Sequence, residues 1–270
     1  MFPTALSLKI FTLGLQNTFV YRWNFLMRLC MSFIPLLGLV YFWGAVYEGR
    51  GGVSINGYSY GEMIFYFLLV NLTQALTMPL DDEWQIANEI RDGQLSQHLL
   101  KPFNYMGYRI LLFVSNRMVY TLIALGPTTL IFLYFHRYLS TPHEPMTWLY
   151  TALALVLTAT LQFLISYIIA LFAFWILEVS TLVFIYFSLE YLFAGHLFPL
   201  DIMPRWMYAI IQWTPFPYQL FFPIAVFRER LSPHEMLTGF LIQCLWIGVL
   251  FLCARGLWRR GLHKYTAVGG

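Results

Sequence analysis

From Met146 to Leu200 the chain carries only two charged residues, Glu178 and Glu190. A helix crossing the ~30 Å hydrocarbon core of a bilayer takes roughly 20 residues, so this run holds two spans joined by a tight turn. Glu178-Val179-Ser180-Thr181 is the natural break, with Ser180 or Thr181 placed to cap the second helix. Apolar runs separated by short polar stretches continue through the rest of the chain. Hydrophobic residues make up 59%, charged residues 11%, and the mean hydropathy is +0.64, which excludes an ordinary soluble domain. The expected fold class is all-α: a polytopic membrane protein with six transmembrane helices, forming a single transmembrane domain over residues 1–270.

Taken in order, residues 2–24 set a narrow polar stripe (Lys9, Thr12, Gln16) beside Phe2, Leu6, Ile10 and Leu13. That pattern predicts an N-terminal interfacial helix over 1–24. No basic region leads from it into an apolar run with a cleavage site, so no cleaved signal peptide is expected. Spans are predicted at 25–47, 61–80, 110–135, twice within 146–200, and at 233–258. Glu48–Tyr60 reads as a Gly-rich loop. Residues 199–230 contain Pro199, Pro204, Pro215, Pro217 and Pro223 among many aromatics and cannot form one regular span. Two half-inserted helices, about Pro204–Trp213 and Tyr218–Phe227, fit instead, tolerated where protein or water covers the broken backbone. Residues 259–270 form a basic tail. Cys30, Cys244 and Cys253 lie in apolar runs and read as packing residues, with no disulfide framework or metal cluster.

The longest polar interruption is Asp81–Arg109. Ile86, Ile90 and Leu95 fall on one helical side, while Glu83, Glu89, Arg91, Asp92, Gln94 and Gln97 supply the polar remainder. The pattern predicts a short amphipathic helix along the membrane surface, broken near Gly93. Its length and charge density exceed what a connector needs.

Orientation follows from Lys and Arg. Placing the N-terminus, the Asp81–Arg109 segment with Arg117, and the C-terminus on one side gathers eleven of the sixteen basic residues there. Both termini and the central segment are therefore expected in the cytoplasm, and the proline-rich half-helices outside. Arg117, about two turns into its span, is expected to snorkel to the cytoplasmic surface. No GxxxxGK[ST], HExxH or GxSxG string occurs, so no catalytic residue, metal or cofactor is expected. Ionisable or amide side chains at membrane depth mark pathways or partners. Glu190, near the middle of the fifth span, and Asn71 with Gln74 on the second stand out in this way, whereas Gln162 and Gln243 read as helix–helix glue.

This layout resembles the permease subunits of type-2 ABC exporters. The specific strings are Glu89-Ile90-Arg91-Asp92-Gly93-Gln94-Leu95 with Leu99-Leu100-Lys101-Pro102, and Trp258-Arg259-Arg260-Gly261-Leu262 with Tyr265 and Gly269-Gly270. Both resemble the subgroup linked to daunorubicin-like and viologen-like drug export. The resemblance implies a bacterial inner-membrane exporter that works as a dimer with a second permease, itself or a homologue. It also implies two copies of a separate ATPase subunit, which bind the ATP and Mg. Residues 81–101 would be the coupling element, with Glu83, Ile86, Glu89, Ile90, Arg91, Asp92, Gly93 and Leu95 at the ATPase-docking site and the three apolar residues as its anchors. Asn71, Gln74 and Glu190 would line the substrate pathway, where a carboxylate suits cationic or amphiphilic cargo. A stand-alone channel or ion-coupled secondary transporter is the alternative. It needs intramembrane ionic pairs, and the sequence places no Lys or Arg opposite Glu62, Glu178 or Glu190.

Overall fold

The computed structural model describes residues 22–101 and 103–265, together with Lys9, Phe11, Thr12 and Gln16. Most of the interfacial helix expected over 1–24, and the end of the tail, lie outside them. The described regular structure is helical, apart from one isolated bridge between Ile55 and Tyr58. The helices are α1 (Arg22–Gly49), α2 (Tyr60–Thr77), α3 (Asp82–Arg91), α4 (Leu95–Leu99), α5 (Tyr105–Tyr134), α6 (Pro145–Leu171), α7 (Ser180–Phe193), α8 (Arg205–Ile211), α9 (Phe221–Phe227) and α10 (Pro233–Lys264).

Local chemistry sets the ends. Ser59 and Glu62 form a reciprocal capping box at the start of α2, and Ser232 and Glu235 do the same for α10, each satisfying two otherwise orphaned backbone donors. At the other end of α2, Pro79 disfavours helix at Met78, which is extended, so α2 stops short of the expected Leu80. Helix α5 starts earlier than expected because Asn104 caps it, accepting the Gly107 N–H at 3.1 Å. Ser180 does not cap α7. The cap position is Val179, which makes no side-chain bond, and the Ser180 hydroxyl donates to Glu178 at 2.5 Å instead.

Four stretches are long and apolar enough to cross a membrane: Tyr60–Arg91, Tyr105–Tyr134, Pro145–Phe174 and Pro233–Lys264. Phe33–Gly49 within α1 and Ser180–Phe193 are apolar but shorter. At 1.5 Å per residue the 14 residues of α7 rise ~21 Å, less than a full core, before Gly195 turns the chain at φ +101°. By length and composition the spanning stretches among the described residues therefore number four, with two short apolar helices beside them.

Helix α6 is the centre of the bundle, and α10, α3, α9 and α2 pack on it. A second group, α1, α2 and α5, packs beside it. Residues 199–230 do break into short pieces, α8 and α9 with 3-10 turns at Leu200–Ile202 and Pro217–Gln219. Buried side chains satisfy the broken backbone: Thr158 donates to the Tyr218 carbonyl at 2.8 Å, Gln243 to the same carbonyl at 3.2 Å, and Gln162 to the Gln219 carbonyl at 3.0 Å. Tyr186 closes the network on the Gln219 side chain. This satisfaction is what irregular backbone needs in an apolar environment. The three cysteines are free and exposed rather than packed in the core.

Candidate functional site

Helix α3 turns off the end of α2 through Asp81, which sits in the left-handed region at φ +60°. The Asp82 carboxylate accepts the Leu80 N–H at 3.1 Å. Ile86, Ala87 and Ile90, with Leu95 of α4, are buried in one apolar core with α6 side chains such as Leu161 and Tyr167. Glu83 faces the same way and accepts a hydrogen bond from the Ser166 hydroxyl of α6. Gly93, at φ +76°, supplies the turn between α3 and α4.

This placement corrects the expected anchors. Ile86 and Leu95 are 0% exposed and Ile90 is 4% exposed, so they hold α3 to its own bundle and are not available to a docking partner. An amphipathic stripe marks a helix that lies on an apolar surface, and here α6 provides that surface. The side left outward carries Gln85, Asn88, Arg91 and Asp92, followed by Gln94, Gln97, Leu99 and Leu100.

An ionic clamp fixes the next turn. Glu89 pairs with Arg109 of α5 at 2.5 Å and accepts the Tyr105 hydroxyl at 2.6 Å, while Arg109 Nε donates back to that hydroxyl at 3.1 Å. The Tyr105 ring stacks on Trp258 of α10 at 5.0 Å. Arg91 donates to the Leu177 carbonyl just before α7, at 3.1 Å. Burial holds the His98 imidazole below its usual value, against the pull of Glu89 and with help from Lys101 and Arg109. Together with the shared apolar core, these contacts tie α3 and α4 to α5, α6, α7 and α10.

The second assembly lies between α2 and the end of α7. Gln74 Nε2 is 3.2 Å from His196 Nδ1. With the amide donating, the ring proton sits on Nε2, 3.5 Å from Glu190 Oε1. Tyr191 stacks on the imidazole at 5.0 Å. Glu190 occupies the last turn of α7 rather than a span centre, and is buried, as is Asn71. The structure thus brings the three expected pathway residues to one region and adds His196, which sequence reasoning missed. His196 lies beyond the helix end, and it folds back because Gly195 adopts positive φ with its carbonyl held by the Tyr66 hydroxyl at 2.6 Å. A Cβ at Gly195 would collide with that hydroxyl.

Two cavities adjoin these groups. One of about 220 Å³ is bounded by Leu36, Leu39, Phe67, Tyr191 and His196, and the other, about 140 Å³, by Met78, Arg117 and Tyr120. Asn71 and Gln74 belong to the walls of both. Arg117 does not snorkel: it is 7% exposed, and its Nη1 donates to the Ala75 carbonyl at 2.8 Å and the Gln74 carbonyl at 3.4 Å. The Ala75 carbonyl has no helical donor because Pro79 lacks an N–H, the Gln74 carbonyl also accepts the Met78 N–H at 3.0 Å, and a cation is favoured at this helix end.

At the opposite end of α2, Glu62 meets Arg228 at 3.1 Å and Arg230 at 2.8 Å. These partners are not legible from the chain order, because they lie 166 and 168 residues away. Tyr58 donates to Asp201 at 3.0 Å, and burial pushes the Asp201 carboxyl above its usual range despite that bond.

A family model described as ABC-2 family transporter protein matches residues 33–269. The chain belongs to this ABC-2 transporter family. No curated protein matches it. The match runs from within α1 through the last described residue, so both α3–α4 and the Glu190 region lie inside it. The protein is accordingly a membrane permease component of an ABC transporter, a system that also contains an ATPase partner.

Proposed function

We propose that this ABC-2 permease exports an amphiphilic or drug-like substrate from the cytoplasm by alternating access, driven by two copies of a separate ATPase subunit. It pairs with a second permease, itself or a homologue, in a bacterial plasma membrane, with both termini in the cytoplasm. It performs no covalent chemistry and holds no cofactor of its own, since ATP and Mg belong to the ATPase.

The observation that carries the reading is the construction of α3 and α4. An outward polar side sits on a helix whose inner side and ion pairs are locked into four other helices. A short rigid element of this kind can pass a rigid-body displacement from a soluble partner to the spans. The contact surface is then Gln85, Asn88, Arg91 and Asp92 with exposed Leu99 and Leu100. The test is Arg91→Glu with Leu100→Asp, both on exposed positions. The variant is expected to fold and to lose the ATPase on co-purification. An intact, ATP-hydrolysing complex that still transports contradicts the assignment.

A further inference from the structure

A third cavity, of about 730 Å³, is an apolar groove on the outside of the bundle where α5, α6 and α10 meet. Met106 and Met118 mark its two ends on α5, Val156 borders it on α6, and Cys244, Gly248 and Phe251 border it on α10. Met118, Val156, Phe251 and Cys244 are exposed. No atom of the bundle lies within 4 Å of a Cβ placed on Gly248, whereas Phe222 and Phe174 fill the space in front of Gly239 and Gly261 on the same helix. Arg117 also touches the groove wall, but its guanidinium turns to the carbonyls at the end of α2.

Between Met106 and Met118 the groove rises ~18 Å along α5, close to one leaflet of a ~30 Å hydrocarbon core. Its lower end lies at the start of α5, beside the Tyr105 hydroxyl that meets Glu89 of α3. There the α10 wall runs on into charge. Arg255 follows Phe251 by one turn and Gly248 by two, and Arg259 follows one turn later, so both continue the helix face that borders the groove. A helical side chain leans toward its helix N-terminus, which carries Arg255 back over the groove. Both arginines are exposed, and among the described residues neither forms an ion pair. Helix α10 holds no acid after Glu235.

We infer that this groove holds an acyl chain of an anionic phospholipid from the leaflet on the α3 side, with the phosphate on Arg255 and Arg259. The spanning windows of α5 and α10 are only 33% and 17% buried within the chain, so this face meets the surrounding bilayer. The groove stops after one leaflet, which fits a lipid chain, whereas a helix of a second copy would need a seat along the whole span. A pair of unpaired arginines at the interface suits a phosphate, and a basic pocket between spans at that depth favours an anionic headgroup over a zwitterionic one.

The test supplies dioleoyl phosphatidylglycerol and dioleoyl phosphatidylcholine in equal amounts to the full-length protein in mild detergent and counts the retained lipids by native mass spectrometry. Each arginine near the surface contributes a factor of about five, so phosphatidylglycerol is expected to be retained on the order of twentyfold over phosphatidylcholine. Arg255→Gln with Arg259→Gln brings the two lipids level by lowering phosphatidylglycerol alone, while Arg260→Gln with Lys264→Gln leaves the preference in place. Gly248→Leu, whose Cβ meets no neighbour, fills the groove and loses both lipids at an unchanged melting temperature, and Val156→Trp does the same from the α6 wall. Equal retention of the two lipids by the unaltered chain overturns the inference, as does a preference that survives Arg255→Gln with Arg259→Gln. Phosphatidylglycerol that stays bound in both Gly248→Leu and Val156→Trp places the lipid outside the groove. A disulfide through Cys244 between two copies, formed with Cys30 and Cys253 replaced by serine and blocked by Gly248→Leu, gives the groove to a second copy instead.

Discussion

Removing the Glu89 carboxylate is expected to loosen α3 from the bundle without unfolding the protein. Arg109 is 1% exposed, with Glu89 at 2.5 Å as its counter-charge. Glu89→Ala leaves that guanidinium buried and unpaired, which costs about 3–5 kcal/mol. Glu89→Gln keeps an acceptor for Arg109 and Tyr105, so its cost is smaller, about 1–3 kcal/mol. The apolar side of α3 stays in the core in both variants, so the cost falls on local opening rather than on global stability. At about 1.4 kcal/mol per factor of ten, amide hydrogen exchange over residues 82–92 is expected to accelerate on the order of a hundredfold or more in Glu89→Ala, and less in Glu89→Gln. Amides in the middle of α6 keep their protection. Replacing both partners, Glu89→Leu with Arg109→Met, removes the unpaired charge and is expected to recover most of the loss. Unchanged exchange in Glu89→Ala, or a double variant worse than the single one, refutes the clamp.

Three further outcomes follow from the packing. Ile90→Asp places a carboxylate in the α3–α6 core and is expected to lower the detergent melting temperature and yield, whereas exposed Asn88→Asp leaves both unchanged; equal melting curves contradict the inward placement of Ile90. Gly261→Ala drives a Cβ into the Phe174 ring and is expected to cost about 1–3 kcal/mol by overpacking, which Phe174→Leu on the same background relieves. Glu229 accepts the Glu144 N–H, the Thr147 hydroxyl and the His143 N–H, which hold its carboxyl below the usual 4.5. Its folded value is depressed, so its tether of residues 143–147 is complete above pH 4.5 and is lost as the pH falls through that lower value. Hydrogen exchange at the 143–147 turn is expected to show this acid step, and Glu229→Gln to abolish it.

Much of the helical layout was legible because apolar runs, prolines and capping residues act locally. The break at Gly93 and the division of 199–230 into short helices came from backbone chemistry alone. The direction of the α3 stripe was not legible, since Ile86, Ile90 and Leu95 look the same whether their apolar partner is α6 or another protein. Pairings across 166 residues, such as Glu62 with Arg228, depend on the tertiary fold. His196 carried a faint signal, a lone histidine after Gly195 in an otherwise apolar run. It could not be linked to Gln74 without knowing that Gly195 reverses the chain. Arg117 misled for a related reason: snorkelling is the usual solution for a cation two turns inside a span, but the end of α2 offered carbonyl acceptors nearer to hand.

The central claim is that the outer side of α3 is where a separate ATPase drives the bundle. The direct measurement is disulfide or short-linker crosslinking in native membranes from a single cysteine at Asn88, with Cys30, Cys244 and Cys253 replaced by serine and with Asn88 left intact as the control. The account predicts a crosslink from Asn88→Cys to an ATP-binding protein, identified by mass, whose yield changes when ATP is trapped unhydrolysed. A chain that comes out of gentle detergent alone, with no crosslink from Asn88→Cys and no associated ATP hydrolysis, contradicts it.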